Sequence, residues 1–246
     1  MTTNNNNSLR TGFLHWIALQ RTNLKELLHV LTAVPNDDND HLNQLAEKNI
    51  QHLTDYHLTR SNDTLSIFSP SWCTSFENSL FWIGGFKPSI YIRLLYSIFE
   101  SESENLDIKL PKMCNGESSK CGGEYSGKQV QLIKALHANT VSSEEMISSR
   151  MANLQECITG EPLIITATNN GSDHEVERAL AGHRVVLGGI VVDADELRVT
   201  VLRELIRILT PLQGIHLLVA SNRLHLSIHE WGKCSDRSTV ANILTL

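Results

Sequence analysis

Apolar residues recur along the chain at steps of three and four, the spacing that lines up one face of an α-helix. Phe13, Trp16, Ile17, Leu24, Leu27, Leu28 and Leu31 form the first stripe. It predicts a helix from residue 9 that ends at Pro35 and the NDDND cluster. Leu42, Leu45, Asn49, Leu53 and Tyr56 predict a second helix, and residues 61–71 read as a loop. Trp72, Phe76, Leu80 and Ile83 predict a third helix that stops at Gly84-Gly85. Pro88 suits the first turn of the next, which Tyr91, Leu94, Leu95 and Ile98 carry forward. The segment LFWIGGFKPSIYIRLL, residues 80–95, therefore reads as helix, tight corner, helix. Its glycines permit positive φ or a close approach of two helices. A phosphate-binding loop would need a preceding strand and a Gly-Lys-Ser/Thr ending, and the segment has neither.

Residues 100–128 are acidic and rich in Ser and Gly, and read as a disordered loop insert. Val130, Ile133, His137 and Val141 start a long helix over about 128–158, continued by Met151, Leu154 and Ile158. Ser142 with Glu145 has the form of a capping box, which leaves a break there open. Residues 159–172 read as a loop. The β-branched run RVVLGGIVV, residues 184–192, suits a strand by composition. Leu180, Leu187, Ala194, Val201 and Ile208 recur every seven residues straight through it, and this periodicity favours one long helix. Thr210, Pro211 and Gln213 then form a capping box with proline at the first helical position. That last helix should run to about Trp231, with Gly232 as its stop.

The expected fold class is all-α: a single bundle of long antiparallel amphipathic helices over residues 9–232, with a polar disordered tail at 1–8 and a C-terminal tail at 233–246. Composition narrows the function. The net charge is −6 with mixed signs along the chain, so the clustered Lys and Arg of a nucleic-acid-binding face are missing. No apolar run reaches membrane-spanning length, and MTTNNNNSLR lacks the apolar core of a signal peptide. The chain is expected to stay inside the cell, in nucleus and cytoplasm, with the sequons at Asn6, Asn62 and Asn170 unused. The five cysteines are odd in number and scattered, which argues against a disulfide framework. Cys114 and Cys121 are spaced too widely for a zinc knuckle and read as loop thiols.

Candidate chemistry centres on His225 and His229, four residues apart and stacked on one helix face. This spacing suits two ligands of one metal, or a haem site. It equally suits two packed histidines satisfied by neighbours such as Glu230. Leu226 follows His225, so the pair is not the zinc-protease motif, and His216 lies off its face. Asp193, Asp195 and Glu196, interleaved with Arg198 and Arg203, read as a solvated helix face. Neither Gly-x-Ser-x-Gly nor a P-loop occurs, and no enzyme is expected.

FLHWI near the start, FWIGGFKPS at 81–89, MANLQE at 151–156, DADELRVTVLRELIRILTPLQ at 193–213 and RLHLSIHEWG at 223–232 follow one another in an order that resembles the plant seed-dormancy-control domain. This is the domain of the DELAY OF GERMINATION proteins, found also in the C-terminal region of TGA-type bZIP transcription factors. The resemblance implies a helical fold and a non-enzymatic regulator of seed dormancy, germination and abscisic-acid signalling that binds type 2C protein phosphatases. It assigns that contact to Phe13, Leu14 and Trp16, although Thr11-Gly12 and His15 stand where the phosphatase-binding members carry acidic residues. It assigns a haem to His225 and His229. From the TGA branch it implies a homodimer and a fatty-acyl ligand. Only about a dozen residues precede the matched region, with Arg10 the sole basic one, so direct DNA binding through a basic region is not expected. The alternatives within the family are a transcription-associated regulator and a developmental factor of pollen-wall patterning that binds no phosphatase.

Overall fold

A computed structural model describes residues 2–32, 38–60, 64–68, 70–102, 125–157 and 173–243. The long helices follow the apolar stripes. Helix α1 (Thr2–Thr32) buries Phe13, Trp16, Ile17 and Leu27, and α2 (Asn39–Arg60) buries Leu42, Leu45, Ile50 and Leu53. Two short helices follow, α3 (Thr64–Phe68) and α4 (Ser75–Leu80), then α5 (Ser89–Glu102), α6 (Gly127–Glu156), α7 (Asp173–Ile208) and α8 (Pro211–Ile243). No strand occurs among the described residues; the fold is all-α.

α8 is the hub, packing on α1, α2, α4 and α5, while α7 packs on α2 and α6. The main core gathers apolar residues of α1, α2, α5, α7 and α8 with Ile133 of α6. A smaller core joins Ile67 of α3 and Ile83 to Ile147 and Leu154 of α6 and to Leu187, Ile190, Val191 and Ala194 of α7. The run 184–192 lies inside α7 as a helix, as its seven-residue periodicity requires. The Thr210 box closes as expected: the Thr210 N–H donates to Gln213 Oε1 at 2.9 Å, and the Gln213 N–H to Thr210 Oγ1 at 3.3 Å.

Several local expectations fail. The helix α1 takes in most of the Asn-rich stretch read as a tail. The loop at 61–71 contains α3. The stripe from Trp72 to Ile83 is not one helix. Thr74 caps α4 in a capping box with Glu77, the helix ends at Leu80, and Phe81 leaves it in an extended conformation. α6 runs unbroken past Ser142, and its N-cap is Ser126 paired with Gln129. α8 passes through Gly232 and continues to Ile243. Gly232 is a contact glycine rather than a stop: a Cβ there would stand 2.0 Å from Thr74 Oγ1. Most of the acidic insert, the loop at 159–172, Cys114 and Cys121 lie outside the described residues.

The Gly-Gly corner is a two-residue turn. The Trp82 N–H donates to the Gly85 carbonyl at 2.6 Å and the Gly85 N–H to the Trp82 carbonyl at 3.2 Å. Its central residues Ile83 and Gly84 have φ of 46° and 68°, positive at both positions as a type I′ turn demands. A β-branched residue is strained there. The turn carries Phe86 inward, against His225 of α8.

Candidate functional site

Around this turn the bundle buries a polar layer. From α7 come Asp195 and Arg198, from α2 His57 and Arg60, and all four are buried. Arg198 donates Nη1–H to Asp195 at 2.6 Å, Nε–H to the Phe86 carbonyl at 2.7 Å, and Nη2–H to the carbonyls of Trp82 and Ile83. Arg60 donates to both carboxylate oxygens of Asp195 and to the Gly84 carbonyl. His57 Nε2 lies 3.6 Å from Asp195. Two guanidinium groups therefore saturate one carboxylate and the carbonyls of the strained turn. A buried charge is tolerable only with such pairing.

The electrostatics follow from this geometry. Burial, the largest single influence, opposes the charge on Asp195, but Arg60, His57 and Arg198 together outweigh it, and its pKa is lowered. Burial and the neighbouring Arg60 push His57 down to about 3, so the ring is neutral. Arg198 is pulled down to about 10, chiefly by burial and by Arg60. Asp195 and Arg198 are thus not part of a solvated face. Their partner Arg60 is 135 residues from Asp195 in sequence, and no local pattern announces it.

His225 and His229 project from α8 into the same region. His225 is sandwiched by aromatics: the Phe86 ring stacks on it at 5.0 Å between centroids and 6° between planes, with Trp16 at 5.8 Å and Tyr91 edge-on at 6.2 Å. Burial pushes its pKa down to about 4. Neither ring nitrogen has a hydrogen-bond partner. His229 places Nδ1 at 2.9 and 3.0 Å from the two carboxylate oxygens of Glu77. The same Glu77 accepts from the N–H and hydroxyl of Thr74, so one side chain caps α4 and ties it to α8. Glu230, expected beside the pair, faces Arg21 of α1 instead.

The three residues expected at a partner surface divide. Phe13 and Trp16 are core, 2% and 8% exposed. Phe13 meets His229 edge-on at 5.6 Å, and Trp16 stacks on Tyr56 at 4.5 Å. Leu14 points outward and is 49% exposed. The cause is helical geometry: positions 13, 16 and 17 share the inward face of α1, and 14 lies across from it.

The residues at the histidine pair do not fit a haem as packed here. The cavity bounded by Phe13, Trp16, Phe86 and His225 holds about 40 Å³, and its neighbour lined by Gly12, Thr59, Trp72 and Cys73 about 160 Å³. Small-molecule pockets run from roughly 300 Å³ upward. The rings of Phe86, Trp16 and Tyr91 pack around His225, so a porphyrin at its nitrogen edge would have to displace them. Among the described residues, no three His, Cys, Asp or Glu side chains converge on a metal site.

Sequence relatives decide the family. A family model described as "Seed dormancy control" matches residues 23–97. Protein DOG1-like 1 of Arabidopsis thaliana is 33% identical over 246 residues, covering 90% of this chain and 87% of its own. The chain belongs to the DOG1 seed-dormancy-control family. The chain is also similar to Protein RESPONSE TO ABA AND SALT 1 of Arabidopsis thaliana, 22% identical over 69% of this chain and 66% of its own. Transcription factor TGA6 of the same plant is 24% identical over 88% of this chain and 62% of its own. Among the described residues no helix is long and apolar enough to cross a membrane.

Proposed function

We propose that this DOG1-family chain is a non-enzymatic regulator of seed dormancy and abscisic-acid signalling that works in nucleus and cytoplasm by docking a type 2C protein phosphatase on the outward face of α1. One observation carries the reading. The inward residues of α1, Phe13 and Trp16, are locked against Tyr56 and the two histidines of α8, which leaves Leu14 exposed between Arg10 and His15 on a braced helix. A single large apolar side chain on such a helix is a candidate anchor for a partner groove. The abscisic-acid and transcription-factor relatives support a signalling role. Thr11, Gly12 and His15 leave this face without the acidic residues that the family resemblance implies for a phosphatase contact. Isothermal titration of the purified chain into a type 2C phosphatase tests the reading: a saturable heat supports it, and no heat at micromolar concentrations of both proteins contradicts it.

A second reading has haem tuning that contact. The unpartnered nitrogens of His225 and the unpartnered Nε2 of His229 favour it, while the small cavity and the stacked Phe86 oppose it. A haemin titration read by absorbance separates the two. A Soret shift that saturates near one equivalent and disappears in the His225→Ala/His229→Ala double variant would require the turn at 82–86 to open. The same weak binding in both proteins would leave the histidines to packing. A fatty-acyl ligand meets the same obstacle, since both cavities beside the site are small for an acyl chain.

A further inference from the structure

Helix α1 is charged unlike the rest of the chain. The chain carries a net charge of −6, yet α1 holds Arg10, Arg21 and Lys25 against a single acid, Glu26. Glu26 is itself matched, since Lys48 of α2 donates to it at 2.7 Å. Arg21 faces Glu230 at 2.5 Å, and Lys233 stands 3.6 Å from the same carboxylate, so that edge stays positive. With Phe13, Trp16, Ile17 and Gln20 turned to the core, helical geometry gathers Arg10, Leu14, Ala18, Arg21, Lys25 and His29 on the outward side. All six are exposed. The stripe runs into a groove of about 680 Å³ between α1 and α2, where Lys25 and His29 face His41 and Lys48 over the buried Val30 and Leu45. The acids at the start of α2, Asp38 and Asp40, do not line it.

Charge complementarity names the occupant. A cationic stripe with one aliphatic anchor, ending in a groove with an aliphatic floor, suits carboxylates interspersed with aliphatic side chains. Three cations over about four helical turns are too sparse for a duplex phosphate backbone, which carries a charge every ~1.7 Å. A helix that lies on an anionic membrane needs a broad apolar face. That of α1 is turned to the core, and among its described residues Leu14 is the one exposed large apolar side chain. We infer that the stripe from Arg10 to His29, with the α1–α2 groove, docks an acidic segment of a partner protein. Its carboxylates would meet Arg10 and Lys25, and its aliphatic side chains Leu14 and the floor at Val30 and Leu45. Arg10 and Lys25 lie about 22 Å apart along the helix, so an extended segment of about seven residues spans them. The inference rests on the reading of the outward face of α1 as the regulatory contact, and adds the charge of what that face contacts.

The probe is a fluorescein-labelled peptide of about ten residues, Glu interspersed with Leu, followed by anisotropy against the full chain. A peptide with Lys in place of every Glu is its control. The wild type is expected to bind the acidic peptide saturably, more tightly at low than at high salt, and not to bind the control. Arg10→Glu/Lys25→Glu should weaken binding at least tenfold, and Arg10→Gln/Lys25→Gln by less. Helical circular dichroism should be unchanged in both, since the two side chains are exposed. No saturation, equal binding of the control peptide, or full affinity in Arg10→Glu/Lys25→Glu would overturn the inference. So would wild-type binding to phosphatidylserine vesicles without binding to the peptide. A type 2C phosphatase bound equally by the wild type and by Arg10→Glu/Lys25→Glu would spare the regulatory contact and overturn the acidic partner. A phosphatase that does not bind, while the acidic peptide does, would remove the phosphatase reading and leave the acidic partner standing.

Discussion

Arg198 of α7 donates its Nε–H to the carbonyl of Phe86 at 2.7 Å, across 112 residues of sequence. This bond holds the turn that presents Phe86 to His225. Its removal should therefore be felt at the histidine as well as in stability. Arg198→Leu leaves the Asp195 carboxylate with Arg60 alone and strips three carbonyls of a donor. Breaking a buried ionic group from one side costs about 3–5 kcal/mol. The expected readout is a large fall in the urea midpoint, together with a rise in the NMR-measured pKa of His225 as water reaches it. A loss within about 0.5 kcal/mol, the range of surface substitutions, would mean the network does not hold the turn.

Gly84 is the stricter of the two corner glycines. Its φ is 68°, and a Cβ there would stand 2.1 Å from Ile67 Cγ2. Gly84→Ala meets both backbone strain and the α3 side chain, for a cost on the order of 2–4 kcal/mol. Gly85→Val places its Cβ 3.1 Å from the guanidinium carbon of Arg198 and should also destabilise, through the clamp. Melting temperatures should fall by roughly 2–4 °C per kcal/mol for a chain of this size. Unchanged melting in either variant would refute the packing described.

The long helices were legible because each buries one face along its whole length, and the Thr210 box is a local code. What was not legible depends on distant partners. Asp195 and Arg198 have the spacing of a surface pair, and only Arg60, brought from α2, makes them core. Gly232 has the look of a stop signal, yet its role is set by Thr74 of α4. Trp72, Phe76, Leu80 and Ile83 keep helical spacing by chance, because the N-cap at Thr74 and the turn at 82–85 cut the segment twice. The pair His225 and His229 was found by spacing, but its surroundings were not: Glu77 reaches His229 across 152 residues of sequence, with no local sign of it.

Gly232→Ala should separate α4 from α8. The added methyl overlaps Thr74, whose Cβ lies 2.6 Å from the new atom, and α4 must shift with its Glu77–His229 bond. Overpacking of this kind costs about 1–3 kcal/mol. Amide exchange should speed up in α4 more than in α2, and protection left equal in both helices would contradict the docking role.

Acid should weaken the fold well above the carboxylate range. His57 and His225 have folded pKa values of about 3 and about 4, below their ordinary 6.5. The unfolded chain therefore binds protons that the folded chain does not, and stability falls as pH drops below about 6.5. The slope is up to about 1.4 kcal/mol per pH unit for each histidine. Asp195, with its lowered pKa, adds a further loss as pH falls through the carboxylate range. His225→Phe keeps an aromatic ring against Phe86 and removes one histidine, so urea unfolding from pH ~7 to pH ~5 should show a shallower slope. An identical slope would contradict the buried neutral state of His225.

The two faces of α1 give the most direct measurement. Trp16→Ala should cost about 3–5 kcal/mol, as truncation of a core aromatic does, whereas Leu14→Asp should leave the melting temperature unchanged. In titration against a type 2C phosphatase, wild type should bind and Leu14→Asp should lose at least tenfold in affinity while remaining folded. Wild-type affinity retained by a folded Leu14→Asp protein, or no binding by the wild type, would contradict the assignment of the outward face of α1 as the regulatory contact.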